Sequence, residues 1–147
     1  MIEIRELQEK HIPAVFRFSE EIFGVSQEEK YSEEMWVAHL KERGLLLGAF
    51  DGDKIVGFKF GYQREPGTLH SWLGGVGETH RKRGIAQMLL DRQERWARQN
   101  GFEFITVNTI RDKFPAMYGL LIKNGYVVYM KSGDDENKSH FRKKLQK

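Results

Sequence analysis

The chain has 147 residues, no cysteine and a formal net charge of +3. The absence of cysteine excludes a disulfide framework, a thiolate metal site and a cysteine nucleophile, and the length suits a single domain over residues 1–147. No apolar run is long enough to span a bilayer and the first residues carry no signal-peptide core, so we expect a soluble, cytoplasmic protein with no membrane partner. The weakly basic charge is compatible with a polyphosphate ligand and with nucleic acid.

The N-terminal part of the chain predicts a strand, two helices and a hairpin. Apolar residues recur at helical spacing before Gly24 and again before Gly44, and Ser32 is a favourable N-cap for the second helix. A polar Asp-Gly-Asp turn at residues 51–53 predicts the hairpin. The predicted elements are a strand at residues 2–5, a helix at 12–23, a helix from position 32 to position 44, and strands at 45–50 and 54–62.

Residues 68–77 predict a further strand that is rich in glycine. Gly74, Gly75 and Gly77 weaken a regular strand. Glycines inside a strand mark either a bulge or a place where a ligand approaches the backbone. The sequence leaves both interpretations open.

A basic turn at residues 81–86 joins this strand to a long helix predicted at residues 85–99. A helix N-terminus leaves its first backbone N–H groups unpaired and carries roughly half a positive charge, so a phosphate can bind there. Gly84 and Ala86 add no bulk at this place, and Arg81, Lys82 and Arg83 add positive charge. We predict an anion site at the basic turn, with a solvated helix cap as the alternative.

The rest of the chain predicts a strand, a helix and a last hairpin. Asn-Gly pairs at residues 100–101 and 124–125 end two helices, and Pro115 is tolerated in the first turn of the second one. The predicted elements are a strand at residues 102–107, a helix at 115–124, and strands at 126–130 and 140–145 that pair across the polar loop 132–137.

Two motifs together resemble the GNAT family of N-acetyltransferases. The spacing Arg81-x-x-Gly84-x-Ala86, between a strand and a helix, is similar to the acyl-CoA signature of that family. Residues 114–126, a short helix that ends in a Gly-aromatic pair, resemble the family's penultimate motif. The order of the predicted elements also matches, so the resemblance covers nearly the whole chain.

The resemblance implies an α/β fold of the α+β type, with a mixed, mostly antiparallel seven-stranded sheet that is splayed between strands 4 and 5 and flanked by about four helices. Acetyl-CoA, the co-substrate it implies, would enter the gap, with the pantetheine arm beside the fourth strand near Val76. Asn108 matches a position where many members hold pantetheine with a side-chain amide; from the residues alone, a loop-capping role is equally favoured. No metal is implied. The pyrophosphate would contact the backbone of Arg81, Lys82, Arg83, Gly84, Ile85 and Ala86.

His70 is the candidate general base. An alkylammonium group with a pKa of about 10.4 must lose a proton before its nitrogen can attack a thioester. His70 lies eleven residues before Arg81, where the histone-acetylating branch of the family places a glutamate base, and histidine titrates in the useful range. A packed strand histidine is the alternative.

Tyr118 is the candidate acid that would protonate the departing thiolate. In the family this acid is usually a tyrosine four residues before the glycine of the Gly-aromatic pair, and Leu121 stands there in this chain. Tyr118 lies three residues earlier on the same helix face. An amphipathic aromatic at the helix surface is the alternative.

These features predict direct transfer of an acetyl group from acetyl-CoA to a primary amine of a small molecule or a peptide. Leu121 in place of the usual tyrosine keeps a non-catalytic acyl-CoA-binding sensor open as an alternative. A nucleic-acid-binding module is less favoured, since acidic and neutral side chains interrupt the basic helix face it would need. A homodimer stays open.

Acidic residues crowd the first two helices, which in this fold usually wall the acceptor site. An acid-rich lip would attract a cationic amine, although solvated helix faces are the favoured interpretation. The residues are Glu20, Glu21, Glu28, Glu29, Glu33 and Glu34.

Overall fold

The computed structural model describes residues 1–24, 31–131 and 138–146 of the chain. The helices are α1 (Ile12–Phe23), α2 (Glu33–Leu40), α3 (Ile85–Gln99) and α4 (Pro115–Lys123). The strands are β1 (Ile2–Leu7), β2 (Leu45–Asp51), β3 (Lys54–Glu65), β4 (Thr68–Val76), β5 (Phe104–Ile110), β6 (Val127–Lys131) and β7 (Lys138–Lys144). Short 3-10 turns at Glu9–His11 and Glu78–His80 come before α1 and α3. This is the predicted order; the predicted loop 132–137 lies outside the described residues.

Two helix starts follow the predicted pattern. Ser32 Oγ accepts a hydrogen bond from the Met35 N–H at 3.2 Å and so caps α2. Pro115 occupies the first turn of α4, where its missing N–H costs nothing. Within the described residues, no helix is both long and apolar enough to cross a membrane.

The end of α3 shifts the start of the fifth strand. Gly101 has a φ of +81°, a left-handed conformation that glycine adopts without strain, and the Phe102 N–H bonds back to the Ala97 carbonyl at 3.0 Å. This turn holds Phe102 at the end of the helix, so β5 begins at Phe104 and runs to Ile110. Asn108 therefore lies inside the strand.

Seven strands form one mixed sheet in the order β1-β2-β3-β4-β5-β7-β6. β4 and β5 are parallel, whereas the other neighbouring pairs are antiparallel. The parallel pairing runs from Thr68 opposite Phe104 to Ser71 opposite Val107. β4 then continues to Val76 beside β3 and leaves β5. The predicted splay between the fourth and fifth strands is confirmed.

Helices cover both faces of the sheet and bury its apolar side chains. α1 and α2 pack on one face, around Trp36. On the other face α3 packs against β2 and β3 through Leu89, and α3 and α4 pack against β4, β5 and β7 through Leu90 and Leu121. Each large apolar side chain so buried contributes roughly 1.5–3 kcal/mol. The gap between β4 and β5 thus lies in a sheet that has helices packed on both of its faces.

Candidate active site

A bulge in β4 marks the place where β4 and β5 part. On β3, Gly61 lies opposite Ser71 and Phe60 lies opposite Leu73, so Trp72 is an extra residue in β4. A bulge bends its strand and increases the local twist. Beyond Trp72, the edge of β4 that faces β5 has no strand partner in the part of the chain that the structure describes. An extended ligand can pair with such an edge.

The glycines of β4 allow close packing within the chain itself. A Cβ on Gly74 would lie 3.1 Å from a carbonyl oxygen of β3 and 3.4 Å from Lys59 Cγ. A Cβ on Gly75 would lie 3.2 Å from the Phe23 ring. The close approaches at these glycines are made by β3 and α1, and the bulge itself lies at Trp72.

Asn108 lies at the mouth of the gap with an unsatisfied oxygen. It follows Val107, the last residue of β5 that pairs with β4, and its own backbone pairs with His140 of β7. Its side-chain Oδ1 is buried and has no hydrogen-bond partner among the described residues. A buried carbonyl oxygen without a donor costs about 1–3 kcal/mol, so an N–H group from a ligand in the gap would be favourable there.

The start of α3 presents free backbone N–H groups. The first helical hydrogen bond joins the Met88 N–H to the Gly84 carbonyl at 3.0 Å. The N–H groups of Ile85, Ala86 and Gln87 lie ahead of that bond. Gly84 has a φ of +78°, and no atom lies within 4 Å of the place a Cβ would take, so the space beside the helix start is open. Together with the helix dipole, these amides fit an anionic group.

Basic side chains surround this helix start. Arg81, Lys82 and Arg83 are all exposed, and Lys82 has a φ of +65°, which a residue with a side chain rarely adopts. Arg81 Nε donates a hydrogen bond to the Val76 carbonyl at 3.1 Å. Arg81 thus ties the basic turn to the free end of β4, whereas Lys82 and Arg83 form no ion pair within the described residues.

His80, which sequence reasoning missed, anchors the basic turn. Its ring is buried, with Nε2 3.0 Å from Asp51 Oδ2 and Nδ1 2.8 Å from Thr79 Oγ1. The hydrogen bond from His80 holds the pKa of the Asp51 carboxyl below its usual value. The turn is therefore fastened to the hairpin of β2 and β3. Nothing near His80 in the sequence points to Asp51, because the partners lie 29 residues apart.

His70 lies in the paired part of β4, two residues before the bulge. Its ring is 4% exposed, and its Nδ1 lies 2.8 Å from Thr106 Oγ1 on β5. Burial, with further contributions from neighbouring bases, lowers the pKa of His70 to about 3, so the ring is neutral at physiological pH. The ring lies 5.9 Å from that of Tyr62, which stacks on His39 of α2. His70 thus faces the α2 side of the sheet.

Tyr118 lies on the opposite side of the sheet from His70. Its half-buried ring packs against Phe141 at 5.2 Å, and the Arg111 guanidinium lies 5.0 Å above it. Leu121, at the usual position of the acid, is fully buried in the core below α4. The structure does not bring the two predicted catalytic side chains together.

Lys59 is a buried base that sequence reasoning also missed. It is 4% exposed on the α3 side of β3, and burial lowers the pKa of its ammonium group to about 8, against a smaller opposite effect of Glu94. The Glu94 oxygens already accept hydrogen bonds from Tyr126 and Lys143 at 2.9 Å each. Glycines two residues away on both sides of Lys59 leave room for its side chain on the same face of the strand, and that pattern was visible in the sequence.

The acid-rich lip is only partly within the described residues. Glu21, Glu33 and Glu34 are exposed, and the last two lie in the first turn of α2. Glu28 and Glu29 lie outside the described residues. Across the described ranges, no group of three or more His, Asp or Glu side chains could hold a metal ion.

A model of the family described as the acetyltransferase (GNAT) family matches residues 12–126. This range includes the basic turn, the free edge of β4, and α4 with its Gly-aromatic pair. A comparison with curated proteins finds no match.

Solved structures share the fold at low sequence identity. An acetyltransferase of the GNAT family from Staphylococcus aureus Mu50 is 19% identical, with 99% of this chain and 100% of that chain covered and a TM-score of 0.82. PaiA N-acetyltransferase from Thermoplasma acidophilum in complex with coenzyme A is 18% identical, with coverage of 98% and 99% and a TM-score of 0.77. YncA, a putative acetyltransferase from Salmonella typhimurium with its cofactor acetyl-CoA, is 14% identical, with coverage of 99% and 94% and a TM-score of 0.76.

Proposed function

Because the chain belongs to the acetyltransferase (GNAT) family, we propose that it transfers the acetyl group of acetyl-CoA to a primary amine of a small molecule or a peptide. The observation that carries this proposal is the gap beyond Ser71 and Val107, with the unpartnered Asn108 oxygen at its mouth. The free edge of β4 begins where this gap opens, and Arg81 joins its end at Val76 to the basic turn.

The residues of the gap, the free strand edge and the basic turn fit the parts of acetyl-CoA. The free amides of Ile85 and Ala86, with Lys82 and Arg83 beside them, suit the pyrophosphate. The β4 edge that ends at Val76 suits the amide-bearing pantetheine arm, and Asn108 Oδ1 can accept a hydrogen bond from one of its N–H groups. Arg81 would hold the end of β4 and the basic turn in a fixed relative position, because its Nε donates a hydrogen bond to the Val76 carbonyl.

In acyl transfer to an ammonium group, the nitrogen loses two protons, one before it attacks and one as the amide forms; the sulfur takes up one proton and the other goes to solvent. The thioester supplies the acyl carbon: a carbon–nitrogen bond forms and the carbon–sulfur bond breaks. His70 is the proposed base: its neutral ring can accept a proton, but burial lowers its pKa to about 3 and so makes it a weak base. If Nδ1–H donates to Thr106 Oγ1, then Nε2 is the nitrogen that accepts the proton. A ring of such low basicity would pass the proton to solvent rather than keep it.

The proposed acid is Tyr118, which would act from the α4 side of the sheet while His70 acts from the α2 side. Its hydroxyl makes no hydrogen bond to a described residue, while its ring is held between Phe141 and Arg111. A thiol is acidic enough to leave with the help of water, so the family's usual tyrosine at the position of Leu121 is not indispensable.

The experiment that tests the function is a thiol-release assay with acetyl-CoA against a panel of amino acids, polyamines, aminoglycosides and peptides. It is run beside a thermal-shift titration with acetyl-CoA. We expect both a higher melting temperature and release of CoA thiol with at least one amine. A shift without release from any amine would favour the sensor. No shift, together with oligonucleotide binding that weakens steeply with salt, would favour a nucleic-acid-binding module.

A further inference from the structure

One side of the sheet between β4 and β6 carries polar and basic side chains. Ile105 and Val107 of β5 and Phe141 of β7 point into the core below α3 and α4. Because side chains alternate along a strand, the neighbouring residues of β5 and β7 point to the other side of the sheet. On that side, His70 is bonded to Thr106. This is also the side on which α1 and α2 cover the first strands of the sheet.

Arg142 lies on this side as a preorganised guanidinium. It is opposite Thr106 in the pairing of β5 and β7. Its guanidinium carbon lies 5.2 Å from the centre of the Phe104 ring and 5.3 Å from that of the Tyr129 ring. Cation–π contacts with both rings hold the group in place. Arg142 is exposed and forms no ion pair with a described residue, so its N–H donors are available to a planar or tetrahedral anion.

Two more basic side chains, those of Arg64 and Lys138, contribute to the electrostatics around His70. Arg64 is exposed on β3, two residues after Tyr62, and Lys138 starts β7 opposite Ile110. Neither forms an ion pair within the described residues. After burial, the titratable groups that lower the pKa of His70 are Arg64, His140, Lys138 and His39, all of which are basic side chains. We call Lys138 and Arg142, which both lie on β7, the basic face; Arg64 lies on β3, on the other side of β4 from them.

The opposite charge lies across the site. The exposed acids Glu21, Glu33 and Glu34 belong to α1 and α2, on the other side of His70 from β7. A positively charged amine is favoured near the acids and a negative group near the basic face. The two ends of the site therefore suit the two ends of a zwitterion.

On the basis of the proposed function, we infer that the acceptor amine also carries an anionic group, a carboxylate or a phosphate, which the basic face binds. The amine would lie beside His70, where β4 and β5 part. Arg142 is two strands away from His70, which is about 10 Å at the usual spacing between strands. The basic face thus selects acceptors that hold an anion at that distance from the reacting nitrogen.

The experiment compares matched acceptors in steady-state kinetics of CoA release. ω-Amino acids of increasing chain length are each paired with their terminal amide, and an aminoalkyl phosphate of equal length distinguishes phosphate from carboxylate. We expect kcat/KM for the best anionic acceptor to exceed that of its neutral partner by about tenfold or more, mainly through KM. The length at which the preference peaks reports the distance to the basic face.

The variant Arg142→Gln tests the basic face. It should reduce the preference for the anionic acceptor while kcat/KM for the neutral amide stays unchanged, and Arg142→Lys should keep part of the preference. Lys10→Gln, which removes an exposed base in the turn before α1, should leave the preference intact. Equal rates with acid and amide, or a preference that survives Arg142→Gln, would overturn this inference alone. The absence of CoA release with every acceptor would overturn the proposed function as well.

Discussion

Ser71 of β4 and Val107 of β5 form the last paired position of the two strands. Trp72, the next residue of β4, forms the bulge, and Asn108, the next residue of β5, carries the buried oxygen without a partner. The strands therefore part at the place where an unpaired acceptor lies. In the proposed complex, an N–H group of acetyl-CoA would satisfy this oxygen.

Replacing Asn108 by Leu, which has a similar shape, is expected to change stability and ligand affinity in opposite directions. The free energy of unfolding of the free protein should rise by about 1 kcal/mol, because a buried oxygen without a donor is removed. The Kd for acetyl-CoA should rise about tenfold, which corresponds to about 1.4 kcal/mol for a lost hydrogen bond. Urea denaturation and calorimetric titration measure the two quantities. A variant that loses both stability and affinity would make Asn108 a structural residue.

The double variant Lys82→Gln/Arg83→Gln is expected to weaken acetyl-CoA binding by about 3- to 30-fold, because each exposed charge contributes roughly 0.3–1 kcal/mol to holding an anion. The effect should shrink at high salt, where exposed charges are screened. Acetyl-pantetheine, which has no phosphate, should bind the variant and the original protein equally well.

The matched control for this pair is Lys10→Gln/Arg17→Gln, which removes the same charge from exposed positions elsewhere. If the control weakened binding as much as the test pair, the effect would belong to the overall charge and not to the basic turn.

The elements of the fold follow from local patterns, whereas the buried polar groups do not. Periodicity and turn residues are properties of neighbouring positions, and they locate every strand and helix to within a few residues. The start of β5 was missed because Phe102 closes the turn after α3 through a backbone bond to Ala97. This bond depends on the left-handed conformation of Gly101, which the helix and strand propensities of the residues do not reveal.

The candidate site likewise has one part that the sequence predicts and another that it does not. The basic turn is continuous in sequence, so Arg81 to Ala86 could be predicted as a unit. The burial of His70, His80 and Lys59 depends on strands that come together from distant parts of the chain, as the bond of His80 to Asp51 illustrates. The low pKa of His70 is likewise a consequence of tertiary packing.

His70 should make stability depend on pH in a definite window. Its pKa is about 3 in the folded protein and about 6.5 in an unfolded chain. Between these values the unfolded state binds more protons, so the free energy of unfolding falls as the pH falls from about 6.5 to 3, by at most about 1.4 kcal/mol per pH unit. Above about pH 6.5 the contribution of this group is constant. His70→Gln should remove this slope, as urea denaturation at a series of pH values will measure.

The same variant tests the catalytic role. His70→Gln should lower kcat far more than it changes the Kd for acetyl-CoA, because the ring would contact the amine and not the donor. An unchanged kcat would remove His70 from the mechanism. A titration of kcat near pH 6.5 that disappears in His70→Gln would contradict the low pKa of the ring.

Tyr118→Phe is expected to lower kcat by about tenfold or more if the hydroxyl protonates the thiolate. The melting temperature and the Kd for acetyl-CoA should stay the same, because the ring contacts with Phe141 and Arg111 do not involve the hydroxyl. Thermal denaturation serves as the control for folding. A normal kcat would make Tyr118 a packing residue of α4.

Lys59→Met is expected to stabilise the protein at neutral pH. The ammonium group is buried, and its pKa of about 8 lies below the value of 10.5 for an unperturbed lysine. A difference of this size corresponds to a cost of up to about 3 kcal/mol at pH 7, where the group is charged in both states. Between about pH 8 and pH 10.5 the unfolded state binds more protons than the folded state, so the original protein gains stability as the pH rises, whereas the variant does not. The advantage of Lys59→Met should therefore shrink across that window in urea denaturation. A variant that is less stable at pH 7 would mean that the Lys59 ammonium has a favourable partner in the folded protein. Glu94 would be that partner, because its charge raises the pKa of Lys59.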